Sequence, residues 1–287
     1  MDAALPALPR RGIAQARYFA LMAAGGASIP AGTPGEAELL VRGRGGARSL
    51  FADLTPGRVL DVPAGGGLQT STLAALGFRV CSVDLFPPAR PRPGQFWICA
   101  DANDPLPFCS GGFDYLLCRE GIEHLEDQMG FLRECARVVK PGGRLILTTP
   151  NLMHLAARMS AFLSGQRNLR RGLINEVQTL RRRNGARIYH GHAFLLDYFR
   201  ARYMIRLAGF AKLQVYTDHM SPTAIAAAPL VPFLWIAMKF SVAASTRNAR
   251  KPGRKQPSRP ILDEIIGHVL SPALLFGKRM IIVAERV

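Results

Sequence analysis

Residues 58–67 read RVLDVPAGGG, and this stretch decides the fold. Its apolar run ending in Asp61 is typical of a buried strand, and the glycine-rich turn after it opens a predicted helix over 68–76. Glycines in such a turn let the main chain approach a ligand closely, and the amino end of a helix favours polar or anionic groups. The stretch therefore predicts a strand, a turn and a helix arranged around a ligand.

Further short apolar strands follow, separated by helices. Strands are predicted over 79–83, 96–100, 113–118, 144–148, 212–217 and 279–285, and helices over 128–139, 152–163 and 193–208. Strands that alternate with helices indicate βαβ units, because parallel neighbours need a crossover connection. We predict an α/β fold with a doubly wound, mostly parallel sheet that has helices on both faces.

The composition excludes several classes of protein. The chain has 287 residues, of which 48% are apolar and 20% charged, which rules out a disordered chain, a coiled coil and a disulfide scaffold. Its five cysteines contain no C-x-x-C spacing, so we expect buried thiols in a reducing cytoplasm. The net charge is +17, and residues 151–287 carry almost all of it, with 22 Lys+Arg against 6 Asp+Glu.

Carboxylates end three consecutive predicted strands: Asp61, Asp84 and Asp101. Ligands of open parallel sheets lie beyond the carboxyl ends of the strands, so these side chains can converge on one ligand. A dinucleotide fingerprint would place its third glycine at position 70, where this chain has Thr70. An NAD-type oxidoreductase is therefore the less favoured alternative.

These residues carry a family resemblance. The pattern Asp61-x-Pro63-x-Gly65-x-Gly67 resembles the first motif of class I S-adenosylmethionine-dependent methyltransferases. Segments 113–125 and 132–151 are similar to the branch that contains the ubiquinone-biosynthesis O-methyltransferases, so the resemblance covers about 58–151. It implies a Rossmann-like seven-stranded sheet whose last strand is inserted antiparallel. Pro63 departs from the family pattern, in which glycine is usual.

The resemblance also implies roles for individual residues. Asp84 would accept both ribose hydroxyls of S-adenosyl-L-methionine, which suits a carboxylate. Asp101 and the Ala102 amide would contact the adenine, and Asp61 would lie near the ammonium group. The cofactor contacts that it implies are Asp61, Pro63, Ala64, Gly65, Gly67, Asp84, Leu85, Asp101, Ala102 and Arg119.

Three residues just past the fourth strand are candidates for the reacting end: Glu120, Glu123 and His124. Methyl transfer from a sulfonium needs alignment above all, and it needs a base only when the acceptor must lose a proton. His124 could be that base, or Glu123 and His124 could simply shape the loop. The resemblance adds a third option, in which all three residues hold a divalent cation; no metal is assigned. His190 and His192 could line the acceptor pocket.

We divide the chain into a loose arm (1–35), a cofactor-binding core (36–151), a basic and apolar accessory region (152–278) and a final strand (279–287). Residues 220–238 are uncharged and precede a polybasic run. This pattern is typical of an interfacial element on an anionic membrane surface, and a buried helix of an accessory lobe is the alternative. No aromatic residue lies between Arg167 and Arg187, which disfavours nucleic acid as the partner.

The predicted activity is transfer of a methyl group from S-adenosyl-L-methionine to a small or lipid-linked acceptor, at oxygen. The predicted location is the cytoplasm, with peripheral contact to the inner face of a membrane as an option. The competing non-enzyme hypothesis is a membrane-associated binding module with the same fold and no turnover. The oligomeric state is left open.

Overall fold

The computed structural model describes residues 50–51, 54–86, 96–166, 180–181, 188–189, 191–249 and 258–287. A seven-stranded sheet lies at its centre. Its strands are β1 (Arg58–Asp61), β2 (Arg79–Asp84), β3 (Phe96–Cys99), β4 (Phe113–Arg119), β5 (Val139–Pro150), β8 (Phe210–Tyr216) and β9 (Arg279–Arg286). They are arranged in the order β3-β2-β1-β4-β5-β9-β8. A separate two-stranded sheet pairs β6 (Leu180–Arg181) with β7 (Ile188–Tyr189).

Strands β1 to β5 pair in parallel, and β9 lies antiparallel between β5 and β8. The predicted seven-stranded, mostly parallel sheet with an antiparallel last strand is therefore confirmed. Because β1, β2, β3 and β4 run in the same direction, their carboxyl ends meet at one edge of the sheet, where parallel sheets bind their ligands.

The helices connect and cover this sheet. They are α1 (Leu68–Ala75), α2 (Gln128–Val138), α3 (Leu155–Ser164), α4 (Tyr198–Leu207), α5 (Pro222–Ala226), α6 (Val231–Ala249), α7 (Arg259–Val269) and α8 (Pro272–Phe276). Two helices start later than predicted, because capping residues lie inside the predicted ranges. The His154 ring accepts from the Ala157 amide, and the Asp197 carboxylate accepts from the Arg200 amide, so α3 and α4 begin after these residues.

Both faces of the sheet are buried. Val59 and Leu60 are adjacent on β1, and they belong to two different apolar clusters. Side chains of consecutive strand residues point to opposite faces, so the two clusters lie on opposite sides of the sheet. Burial on both faces explains why the sequence of β1 is a continuous apolar run rather than an alternating one.

Two sequence-based expectations are only partly met. Of the five thiols expected to be buried, Cys81, Cys118 and Cys135 are buried, and Cys99 and Cys109 are exposed. Cys99 ends β3, which lies at the edge of the sheet that the described residues form. The turn expected at residues 140–143 falls within the bounds of β5 as a bulge: Val139 pairs with Phe113, and the pairing with β4 resumes at Arg144, where the strand was predicted to start. The predicted arm 1–35 lies outside the described residues, as does most of the stretch between Arg167 and Arg187 in the predicted accessory region.

Candidate active site

The turn after β1 is fixed by its two neighbouring strands. The Val62 amide donates to the Leu117 carbonyl of β4, and the Ala64 amide donates to the Val83 carbonyl of β2, both at 2.9 Å. Gly65 has φ +55° and Gly67 has φ +73°, in the left-handed region that favours glycine. A Cβ added to Gly65 would meet nothing within 4 Å, so the outer side of this turn is open to a ligand.

The Asp84 carboxylate lies directly against this turn. One oxygen accepts from the Gly65 amide at 2.8 Å, and the other accepts from the Phe86 amide at 3.0 Å. Burial raises the pKa of Asp84, while bonds from the amides of Phe86, Gly65 and Leu85 oppose that shift. Each carboxylate oxygen can accept a second bond, so this group can still receive hydroxyl donors.

Asp61 is buried beneath the turn. It accepts from the Thr70 hydroxyl at 2.8 Å, and the Thr70 hydroxyl lies 2.7 Å from that of Ser82. Burial raises the pKa of Asp61 to about 7, and Asp84 adds to the shift while Arg119 opposes it. Thr70 occupies the position of the missing third glycine, and its hydroxyl holds the Asp61 carboxyl group in place.

Asp101 lies after β3 and organises the next loop. Its carboxylate accepts from the Asn103 amide and from the Asn103 side chain, both at 3.0 Å. The Asn103 side-chain oxygen in turn accepts from the amides of Glu126 and Asp127. The neighbouring Ala102 is buried. Sequence reasoning missed Asn103, because its second set of partners lies more than twenty positions away.

Glu120 and Arg279 form a separate cluster with Asp218. Glu120 has φ +48°, and its amide donates to the Thr148 carbonyl at 3.0 Å. Arg279 Nε lies 3.7 Å from the Glu120 carboxylate, and the same guanidinium bonds the buried Asp218. The chain thus places a partly exposed cation beside Glu120 at the carboxyl end of β4.

Glu123, His124 and His192 come together at the same edge. Their candidate ligand atoms all lie within 4.8 Å of one another, and the two imidazole rings are 4.9 Å apart. Glu123 is fully buried and accepts from the Thr149 hydroxyl at 3.1 Å. Such a set can move a proton, or it can bind a first-row divalent cation through one carboxylate and two imidazoles.

This grouping differs from the predicted one. In the described part of the chain, the cluster that can hold a cation contains His192 in place of Glu120, which the resemblance had implied. The Phe194 amide donates to the Glu123 carbonyl at 3.2 Å and so ties the His192 loop to the segment after β4. The sequence placed His192 near the acceptor pocket, but it gave no signal that His192 and His124 would meet.

Comparisons with known proteins agree with this geometry. Residues 60–147 match the family model described as a methyltransferase domain. A ubiquinone biosynthesis O-methyltransferase of Xanthomonas oryzae pv. oryzae is 39% identical over 112 residues, which cover 36% of this chain and 47% of that protein. One of the same name from Xanthomonas campestris pv. campestris is 39% identical over 103 residues, covering 33% of this chain and 43% of that protein. The chain spans about half the length of these curated relatives.

A solved structure also resembles the chain. The 1,6-didemethyltoxoflavin-N1-methyltransferase of Burkholderia thailandensis, crystallised with bound S-adenosylhomocysteine, has 14% identity and a TM-score of 0.46. The match covers 100% of this chain and 93% of the Burkholderia thailandensis chain. The matched residues 60–147 hold Asp61, Gly65, Asp84 and Asp101. Through residues 60–147, the chain is similar to the methyltransferase domain family, as its first motif predicts.

Proposed function

We propose that this protein transfers a methyl group from S-adenosylmethionine to a hydroxyl oxygen of a small or lipid-linked acceptor. The observation that carries the proposal is the Asp84 carboxylate held against the Gly65 amide, within the segment that matches the family model. The names of the relatives that are 39% identical support oxygen as the methylated atom.

The residues around the first turn fit this cofactor. The outer side of Gly65 is open, and the Asp84 carboxylate keeps lone pairs for a pair of ribose hydroxyls. Asp61 is a buried acid that can compensate an ammonium group. When bound, the cofactor supplies an activated methyl group on a sulfonium, whose leaving group needs no protonation.

Side chains of the protein itself would remove the proton from the acceptor. A hydroxyl acceptor must lose its proton as its oxygen is methylated, so a base beside it raises the rate. His124 and His192 are the groups proposed to take that proton, because both imidazoles are partly exposed and their ring centroids lie 4.9 Å apart. Glu123 is fully buried and orients this loop through Thr149.

Calorimetric titration with S-adenosylhomocysteine tests the cofactor assignment, with NAD as the control ligand. We expect micromolar binding of S-adenosylhomocysteine and none of NAD. Asp84→Ala should weaken the affinity by about ten- to a hundredfold, because it removes charge-assisted hydrogen bonds. Asp263→Ala, at an exposed carboxylate of α7, is the matched control and should bind normally. Binding of NAD, or unchanged affinity in Asp84→Ala, would contradict the assignment.

Turnover is measured separately, with methyl-labelled cofactor and a panel of phenolic and lipid-linked hydroxyl acceptors. His124→Ala should lower kcat while leaving the affinity for S-adenosylhomocysteine unchanged. Repeating the assay with a chelator distinguishes a histidine base from a cation site. The chelator should lower wild-type turnover only if a bound cation takes part in the reaction. Tight cofactor binding with no transfer to any acceptor would favour the binding module instead.

A further inference from the structure

Helix α6 has apolar side chains on two opposite faces. Val231 and Leu234 pack against the cluster formed by α3, α5 and α8, and Met238 packs against the main core. On the other side Phe233, Ile236 and Phe240 are 70%, 59% and 76% exposed. At 100° per residue these three lie within about 60° of one another and about 160° from the packed side. We call them the outer stripe.

Packing among the residues that the structure describes does not account for the outer stripe. An ordinary surface helix has one apolar face towards the core and a polar face towards water, whereas a helix that is apolar all round is buried or lies in lipid. The neighbouring helix α3, held in the same cluster, also exposes Phe162 and Leu163. Exposed apolar groups of this size mark a surface that something else covers.

The charges of α6 and of the sequence on either side of it indicate what covers the outer stripe. Residues 219–262 contain no Asp or Glu, and their seven cations are Lys239, Arg247, Arg250, Lys251, Arg254, Lys255 and Arg259. Lys239 Nζ lies 5.3 Å from the centre of the Trp235 ring, so at least one of these cations sits at the apolar helix itself. A second copy of the chain would bring like charges together, whereas anionic headgroups complement them.

We propose that α6 lies in the plane of an anionic lipid surface, with the outer stripe inserted below the headgroups. In the part of the chain that the structure describes, no helix has both the length and the apolar character to span a bilayer. The 19-residue α6 is about 28 Å long and would therefore lie flat on the membrane, with its packed side towards the protein. This docking surface is independent of the proposed methyl transfer.

Co-sedimentation of the full chain with vesicles tests the docking surface. Vesicles of phosphatidylglycerol mixed with phosphatidylcholine are compared with phosphatidylcholine alone, at low and high salt. We expect binding to the anionic vesicles that weakens at high salt, because screening shortens the reach of the cations. Phe233→Ser with Phe240→Ser should lower the partition coefficient at least about tenfold, because it removes the inserted aromatic groups.

The matched control is Tyr203→Ser with Leu207→Ser on α4. These side chains are 63% and 59% exposed on a helix that also carries Arg200, Arg202 and Arg206. The control should bind vesicles like the wild type, and both double variants should keep the wild-type melting temperature and cofactor affinity. Equal partitioning of the two double variants, or equal binding to both lipid compositions, would overturn the proposal. A wild-type dimer that the outer-stripe variant dissociates, without any effect on vesicle binding, would assign the stripe to self-association instead.

Discussion

Gly121 packs so closely against the pyrrolidine ring of Pro63 that a Cβ on Gly121 would overlap the ring. Pro63 belongs to the turn that we propose binds the cofactor, and Gly121 precedes the short helical turn that carries Glu123 and His124. The two halves of the proposed active site are therefore in direct contact. The proline at a position where the family pattern has glycine is compatible with the site because residue 121 has no side chain.

Gly121→Ala should disturb both halves of the site at once. The added Cβ has to displace the Pro63 ring, and such overpacking costs about 1–3 kcal/mol of stability. We expect a lower melting temperature together with weaker binding of S-adenosylhomocysteine. Gly267→Ala in α7 is the control: a Cβ there meets nothing within 4 Å, so it should be neutral or stabilise by up to about 1 kcal/mol. Equal melting temperatures in the two variants would contradict the close contact.

The pKa of Asp61 predicts how stability depends on pH. In the unfolded chain this carboxyl ionises near pH 4, and in the folded protein burial keeps it protonated up to about pH 7. The folded state therefore binds one more proton between these values. This contribution to the free energy of unfolding is fully present below pH 4 and is lost as the pH rises to 7, by at most about 1.4 kcal/mol per pH unit.

Asp61→Asn removes this titration because its amide stays neutral. The stability of the variant relative to the wild type should therefore rise between pH 5 and pH 7 and level off above pH 7. Urea unfolding of both proteins at pH 5, 6, 7 and 8 measures it. Asp263→Asn changes an exposed carboxylate and should run parallel to the wild type. If the difference in free energy of unfolding between Asp61→Asn and the wild type is also constant with pH, then Asp61 is ionised throughout this range. Burial would then not raise its pKa.

The sequence predicted the sheet well because the signals for its strands are local. The apolar runs that end in Asp61 and Asp84 give β1 and β2 to within one residue. The start of β5 was missed because Val139 pairs with Phe113 across a bulge: residues 140–143 have no partner in β4, and the pairing resumes between Arg144 and Tyr115. Strand bounds of this kind depend on a partner that a single segment does not contain.

In the site too, residues with a local sequence signal were predicted, and their distant partners were not. Asp84 and Gly65 were predicted together because the strand ends and the glycine pattern mark them. Arg279 was predicted only as the start of the last strand, and it reaches Glu120 from more than 150 positions away. Thr70 was noted only as a missing glycine, yet its hydroxyl holds Asp61. Supporting partners of this kind follow from the packing of distant elements, which periodicity and spacing do not encode.

Arg279→Met should destabilise the fold near the acceptor side of the site. Arg279 compensates two carboxylates, of which Asp218 is buried and Glu120 partly buried. Removing one partner of such a cluster costs about 2–3 kcal/mol, less than in a fully buried pair because water reaches the guanidinium. Lys212→Met is the control, since the Lys212–Glu285 pair is mostly exposed and should contribute less than about 1 kcal/mol. Equal losses in the free energy of unfolding would show that the Arg279 cluster is no stronger than a surface pair.

Asn151 joins the end of β5 to α8 and to Gly277 just after it, and its exchange for aspartate gives a near-isosteric test. The Asn151 amide nitrogen donates to the carbonyls of Leu274 and Gly277, at 3.0 and 2.8 Å, and its oxygen accepts from the Met153 amide. In Asn151→Asp a buried carboxylate would face those carbonyl oxygens. We expect a loss of about 2–4 kcal/mol at pH 8, because donors are replaced by an acceptor away from water.

The loss in Asn151→Asp should shrink towards pH 4, because a protonated carboxyl can again donate to one of the carbonyls. Urea unfolding at pH 4, 6 and 8 measures the trend. Gln214→Glu on the exposed side of β8 introduces the same charge without burial, and its effect should stay within about 0.5 kcal/mol. A small, pH-independent loss in Asn151→Asp would mean that α8 and Gly277 shift to accept the charge, and Asn151 would then be a replaceable link between α8 and β5.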